Sequence, residues 1–322
     1  MKKYLGTVIT VVVVVTLVVL SLVFSNYELS QTQRDAFIVI GIICGCSALY
    51  CFVVGEFTRN NSQMDKLWSI LPIAYSWVIT GYDHFQFRTT AFAIIATLWG
   101  IRLTMNFARK GAYSLKFWTG EEDYRWQVLR QNKLLNKRLS WAMFDLFFIS
   151  IYQNGLVLAI CLPSLMCIGS TAPIGVFEYL AVALATSFLL LEAIADEQQM
   201  DFHTTKRNML KEGKTLEELP APFNKGFNTV GLWSYSRHPN YLGEQGIWLS
   251  LYLLVIGAGL GTHYVFHWSS IGPLLLVLLF LGSSSFQEGV SSGKYPEYKL
   301  YLAHVSKYFP NPFRKYRPEK YK

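Results

Sequence analysis

The sequence predicts an all-α, polytopic membrane helix bundle of eight transmembrane helices with both termini cytosolic, and three observations carry that expectation. Hydrophobic residues make up 52% of the 322 and charged residues only 16%, a balance too apolar for an ordinary soluble domain of this length. Apolar runs recur at the length a bilayer demands, about 20 residues per spanning helix. The basic residues fall in alternate loops: 26 of the 29 Lys and Arg residues lie on one side when the N-terminus is cytosolic, as expected when short basic loops are retained there. Losing or gaining one helix spoils that alternation.

The predicted spans, in order, are residues 5–24, 36–54, 67–81, 90–103, 141–162, 176–195, 241–260 and 271–286. Lys2 and Lys3 precede the first, but its core is long for a secretory signal and no small-x-small cleavage site follows, so it is read as a helix. The third and fourth are the shortest, and Arg102 lies inside the fourth. Arg34 and Arg88 fall on the opposite side. Two long cytosolic connections, 106–140 and 196–240, are the segments in which function is expected; 213–227 within the second reads as a surface excursion. The tail after Phe286, with Pro296, Pro310, Pro312 and Pro318, reads as a short amphipathic piece lying on the cytosolic face. All of this forms one membrane domain, 1–322, with N-terminal helices and a cytosolic loop over 1–140 and a C-terminal region over 141–322.

The net charge of +8 follows from positive-inside retention and calls for no nucleic-acid partner. Cys44, Cys46, Cys51 and Cys161 sit in predicted helices with Cys167 in the loop after, so neither a disulfide framework nor a metal site is indicated. The Asn60-Asn61-Ser62 sequon lies on the cytosolic side, where it is idle.

Chemistry concentrates at Gly231-Leu-Trp-Ser-Tyr-Ser-Arg-His-Pro-Asn-Tyr-Leu-Gly-Glu244. Pro239 suits the first turn of a helix, which places Asn240 and Glu244 on one face. Glu244 then sits about a turn inside the apolar zone, where a carboxylate costs roughly 2.5–3.5 kcal/mol and is a functional candidate by default. Glu192 and Asp196 are one helical turn apart at the end of the sixth span and need something cationic or hydroxyl-rich between them. Asp65 opens the third span, as a helix N-terminal carboxylate or a cavity-facing acid. Arg102 wants an anionic partner. Tyr75 and Tyr82 are potential proton donors on an otherwise ordinary aromatic belt. No second histidine accompanies His238 at i+3 or i+4, so no zinc site is expected. A Gly-x-Gly-x-x-Gly fingerprint and a Gly-x-Ser-x-Gly elbow are both absent.

Trp233 to Glu244, preceded by Ala195-Asp-Glu-Gln198 and followed by Lys294-Tyr-Pro-Glu-Tyr298 and Phe309-Pro310, resembles the steroid 5-alpha-reductase C-terminal domain and its bacterial relatives of unknown function. The likeness covers about the last 150 residues, with weaker support from Asp65-x-x-Trp68 and Trp99-Gly-x-Arg102. Isoprenylcysteine carboxyl methyltransferases and phospholipid methyltransferases share an Arg-His-Pro-x-Tyr-x-Gly element. The reductase resemblance implies a nicotinamide cofactor, NADPH or NADH, with Asn240 on the nicotinamide amide and Glu192 and Asp196 near the sugar–phosphate region. Arg237, His238, Tyr241 and Glu244 would line the same pocket. Where the reductases carry basic residues after the last helix, this chain has Ser284 and Gln287-Glu288; Glu288 resembles instead an acid near which the methyltransferases bind S-adenosylmethionine.

The leading expectation is therefore a bacterial inner-membrane reductase that adds hydride to the β-carbon of a conjugated carbon–carbon double bond in a steroid- or isoprenoid-like substrate drawn from the bilayer. Negative charge would build on the carbonyl oxygen, and a hydroxyl or protonated acid must meet it there; Tyr241, Tyr75 and Asp65 are the candidate donors, in that order. Alternatives are an S-adenosylmethionine-dependent lipid methyltransferase and a non-catalytic lipid-binding membrane protein.

Overall fold

The computed structural model describes residues 2–25, 27–260, 265–311 and 315–316, with side chains from residue 7 onward. The side chains of Lys2 and Lys3, and Pro312 and Pro318 of the tail, lie outside the described residues. Among those described, the chain is helical, with one isolated bridge between Ser236 and Ser306 and no strand. Five helices are long and apolar enough to cross a membrane: Gln31–Thr58, Phe87–Arg109, Arg138–Ala159, Val176–Lys211 and Trp268–Lys294. Thr7–Val23 is apolar but shorter. The sequence reading treats the chain as one domain; its contacts divide it into two compact units, residues 1–182 with 249–276 and residues 183–248 with 277–322.

In the first unit, Gln31–Thr58 begins with Ser30 and Gln33 in a reciprocal capping box and ends where Arg59 turns left-handed at φ 60°, both ordinary helix boundaries. Its buried positions are Gln33, Ala36, Ile40, Ser47, Cys51 and Gly55, a stripe at helical spacing. Phe37, Ile38, Ile42, Leu49, Val53 and Phe57 are exposed on other faces, an apolar surface that suits lipid. The expected span 67–81 is interrupted, forming Gln63–Leu67 and then Leu71–Tyr82. Pro72 stands in the first turn of the second piece; without an N–H, and clashing with the carbonyl four residues back, it cannot lie inside a continuous helix. The expected 90–103 grows to Phe87–Arg109, and Arg88 in its first turn is not a solvent-facing loop cation but a buried one. It pairs with Glu178 at 2.6 Å, with side-chain exposures of 5% and 1%.

Arg138–Ala159 contains a π-helical stretch, Asp145–Tyr152, a wide-turn distortion frequent at functional sites. Asp145 is fully buried there, accepting hydrogen bonds from Asn61 Nδ2 at 2.6 Å and Ser150 Oγ at 3.2 Å.

The second unit takes the Ala183–Lys211 part of the long helix, most of Pro239–Leu251, Ile271–Lys294 from residue 277, and the tail. The expected span 241–260 is divided as well: Pro239–Leu251 is followed by the short Leu253–Gly257, and Gly259 adopts φ 72°. The tail packs against the chain itself. Its helix Tyr298–His304 buries Tyr298 and Tyr301 in a cluster with Phe227, Val305 and Tyr316. The Tyr301 hydroxyl donates to the Trp233 carbonyl, and Tyr316 N donates to Ser234 O at 2.9 Å, so the tail is stitched to the loop that carries the central motif. Burial pushes the Tyr301 phenol well above its ordinary value and keeps it a donor. Tyr301→Phe is expected to lower stability by about 1 kcal/mol in denaturant unfolding of the solubilised protein; no change would mean that water takes the place of the hydroxyl at the Trp233 carbonyl at no cost.

Candidate functional site

The second unit brings most of the sequence-predicted site residues together around the start of Pro239–Leu251. Pro239 opens that helix, as its missing N–H favours. Asn240 in its first turn donates from Nδ2 to Asp196 Oδ1 at 3.0 Å. Its other arm, Oδ1, is buried and has no hydrogen-bond partner among the described residues. A turn below, Glu192 and Glu244 are both buried, 2% and 6% exposed. The two helices approach this closely because residue 243 is glycine. A Cβ there would stand 2.6 Å from Glu192 Cβ and 2.9 Å from the Phe188 carbonyl, closer than packed atoms stand.

A residue that the sequence marks only as part of the family likeness, without a role of its own, holds the loop before this helix. Gln198 Oε1 accepts from Leu232 N at 2.9 Å, and the Gln198 carbonyl accepts from Asn228 Nδ2 at 3.2 Å. Trp233 Nε1 donates to the Ala195 carbonyl at 3.0 Å. The Ala195-Asp-Glu-Gln198 segment is thus a clasp for the 228–233 loop as well as a carrier of Asp196. Gly231, at φ 60°, lies against the Gln198 side chain and leaves no room for a Cβ.

Arg237 and His238 are fixed from their backbones by the tail, since their N–H groups donate to the Ser306 and Lys307 carbonyls at 2.9 and 3.0 Å. Their side chains converge on Glu288. Arg237 Nε donates to Oε1 at 2.8 Å, His238 Nε2 lies 3.0 Å from the same oxygen, and Lys307 Nζ stands 3.8 Å from Oε2. Arg237 Nη1 also donates to the Leu302 and Val305 carbonyls. Burial, opposed by Glu288, holds His238 below its usual value, so near pH 7 the ring is neutral and Nε2–H donates to the carboxylate. Burial lowers Lys307 too. Glu288 is held by cations of the chain itself.

Tyr241 is wedged among aromatic neighbours: its ring stacks on His238 at 5.3 Å between centroids and meets Phe280 edge-on at 4.4 Å. Gln287 Nε2 donates to its hydroxyl at 2.5 Å. The remaining candidate donors belong to the first unit. Tyr75 is fully buried, and its hydroxyl has no hydrogen-bond partner of ordinary geometry among the described residues. Asp65 accepts from Trp126 Nε1 at 2.8 Å and Arg125 Nη2 at 3.3 Å; burial raises its carboxyl despite Arg125.

Asp145, Asn61, Glu122 and Arg130 form a second polar cluster, in the first unit, that the sequence reading did not single out. Glu122 takes Arg130 in a two-point pair at 2.7 and 2.6 Å, and Asn61 Nδ2 reaches Asp145 at 2.6 Å. A signal for it was present, because Asp145 is a carboxylate inside a predicted span, the same mark that singled out Glu244.

The arrangement around Asn240 suits a carboxamide ligand: a buried amide oxygen waits for a donor, with its orientation fixed by Asp196. A nicotinamide ring carries such a group, so the residues present fit that end of a dinucleotide. Two cations beside the motif, Arg237 and Lys307, share the single carboxylate of Glu288.

The profile of a family described as "Protein of unknown function (DUF1295)" matches residues 51–305. An uncharacterized protein of the fission yeast Schizosaccharomyces pombe is 36% identical over 270 residues, which cover 80% of this chain and 74% of the yeast chain. No solved structure matches.

Proposed function

The chain belongs to the DUF1295 family, and on that footing we propose that it is a membrane-embedded, NAD(P)H-dependent reductase of a conjugated carbon–carbon double bond in a steroid- or isoprenoid-like lipid, built like the steroid 5-alpha-reductases. With it goes the eight-helix topology with both termini cytosolic, in which the breaks before Pro72 and at Tyr252 divide spans without removing them. The bacterial inner membrane expected from the sequence does not follow, because the similar protein is from a yeast.

One observation carries the reading: the buried, unpartnered Oδ1 of Asn240, oriented by the Nδ2 bond to Asp196. A buried acceptor without a donor costs about 1–3 kcal/mol, a penalty that a ligand amide would remove. Bound at that point, a reduced nicotinamide would supply hydride. Asn240 would accept the carboxamide N–H, and Asp196 would hold Asn240 in the correct flip. Tyr241 would donate its proton to the substrate carbonyl oxygen as charge develops there, with the Gln287 hydrogen bond supporting the phenolic oxygen as the proton leaves. Phe280 and the His238 ring would keep water from that hydroxyl.

The methyltransferase alternative leaned on Glu288. That carboxylate is engaged by Arg237, His238 and Lys307, which leaves it neither for a sulfonium ligand's amino group nor opposite a 2′-phosphate. The geometry therefore favours reduction and is equally compatible with NADPH and NADH.

The test is thermal unfolding of the solubilised full chain with NADPH, NADH and S-adenosylmethionine. Stabilisation by a dinucleotide is expected, and Asn240→Leu should weaken it roughly five- to tenfold, the equivalent of one neutral hydrogen bond. Stabilisation by S-adenosylmethionine alone would replace reduction with methyl transfer, and no response to any of the three would leave the lipid-binding reading.

A further inference from the structure

The first unit holds a cavity of about 350 Å³ lined by Arg59, Asn61, Arg130, Lys137, Arg138 and Trp141 among others, and the geometry points to it as a binding site for a phosphate ester, with the headgroup of an anionic phospholipid as the source. The proposal is independent of the reductase reading.

Two walls are built and rigid. Trp141 is buried, its Nε1 donates to Asn61 Oδ1 at 3.1 Å, and the Arg130 guanidinium lies 4.6 Å from the Trp141 ring centroid. Glu122 already neutralises Arg130. The other three cations are different: the side chains of Arg59, Lys137 and Arg138 make no hydrogen bond or ion pair among the described residues. Glu56 is the single carboxylate lining the cavity against them.

Their position on the helix adds a second argument. Lys137 is the N-cap of the Arg138–Ala159 helix and makes no side-chain cap bond, and Arg138 is its first residue. A helix start carries unpaired amides and a partial positive charge, so acids and small hydroxyl side chains are favoured there and cations disfavoured. Two basic residues at that point leave the end of the helix short of negative charge. An anion seated in the cavity meets the exposed amides, the helix dipole and three unmatched cations at once.

The lipid source follows from the surroundings. The cavity sits where two membrane-length helices end, Gln31–Thr58 and Arg138–Ala159, the level of phospholipid phosphates. Next in sequence to the lining residues Leu135 and Arg138, Leu134 and Leu139 are 79% and 74% exposed, apolar side chains that water would not favour and acyl chains would. Basic pockets between helices at this depth bind acidic headgroups.

The experiment is competition binding to the full-length protein in neutral detergent, comparing phosphatidylglycerol, phosphatidylcholine and inorganic phosphate. Preferential retention of phosphatidylglycerol is expected, with inorganic phosphate displacing it. Each basic residue is worth about a fivefold change, so K137Q/R138Q should lose roughly 25-fold in affinity, while E56Q, which removes the opposing acid, should gain. If inorganic phosphate binds in a Lys137- and Arg138-dependent manner and phosphatidylglycerol does not, the site stands and the lipid source is overturned. Equal retention of the two lipids with no phosphate binding, or a K137Q/R138Q preference equal to that of the wild-type chain, overturns the site.

Discussion

Arg88→Met is expected to lower the stability of the first unit by about 3–5 kcal/mol, the scale of breaking a buried ion pair from one side. The guanidinium is matched on every edge. Nε donates to Glu178 Oε1 at 2.7 Å, Nη1 to the Ala172 carbonyl at 3.0 Å, and Nη2 to the Pro173 and Gly257 carbonyls at 3.1 and 3.2 Å. Glu178 in turn accepts from Gly175 N through Oε2 at 2.9 Å, and a Cβ on Gly257 would run into that carboxylate. Removing Arg88 leaves a carboxylate at 1% exposure with one amide for company, and three carbonyls without their donor. Denaturant unfolding of the solubilised chain reads the loss, and Arg88→Met/Glu178→Leu should recover part of it, because an apolar pair carries no uncompensated charge. A single-variant loss of about 0.5 kcal/mol, as at ordinary surface sites, would mean that water reaches the pair.

The second large effect is expected at Gly243. In Gly243→Ala the new methyl carbon would lie 2.6 Å from Glu192 Cβ, 2.9 Å from the Phe188 carbonyl and 3.0 Å from Glu192 Cα. None of these atoms is the end of a flexible side chain, so the helices themselves must move apart, at about 1–3 kcal/mol. That separation stretches the 3.0 Å bond between Asn240 and Asp196 and releases the Asn240 amide from its fixed flip. Dinucleotide stabilisation should fall at least tenfold, a larger drop than Asn240→Leu gives. Gly282→Ala, where a Cβ meets nothing within 4 Å, is the control and should keep both stability and binding. Equal behaviour of the two variants would show that the helices are not pressed together at residue 243.

The legible and illegible parts of the chain differ by the range over which their causes act. Pro239 as a helix start, Asn240 and Glu244 on one face, and Glu192 one turn from Asp196 all follow from spacing within a few residues, and the structure has them so. Glu178 stands 90 residues from Arg88, and nothing local in either segment announces the pair; Arg88 read as an ordinary loop cation. Hydropathy counts apolar residues without asking whether the backbone can stay helical through them, so 67–81 and 241–260 read as continuous spans despite Pro72 and the turn at Tyr252. The packing of the tail was equally out of reach of local spacing. Tyr alternating with Lys reads as a surface anchor, yet Tyr298 and Tyr301 find Phe227 within a stretch read as a surface excursion.

The Val176–Lys211 helix is 36 residues long, roughly 54 Å at the usual rise, against about 30 Å of hydrocarbon. Its apolar stretch ends near Ala195, and Asp196, Glu197 and Asp201 follow, so in the proposed topology Asp196 marks the depth at which oil gives way to water. The proposed dissolved cofactor would arrive there in three dimensions, whereas a lipid substrate would arrive in two. For an enzyme of the proposed kind, catalytic rate is then governed by the substrate's mole fraction in the membrane and not by its molarity in the flask. Adding inert lipid slows turnover by surface dilution even though no component of the reaction has been removed.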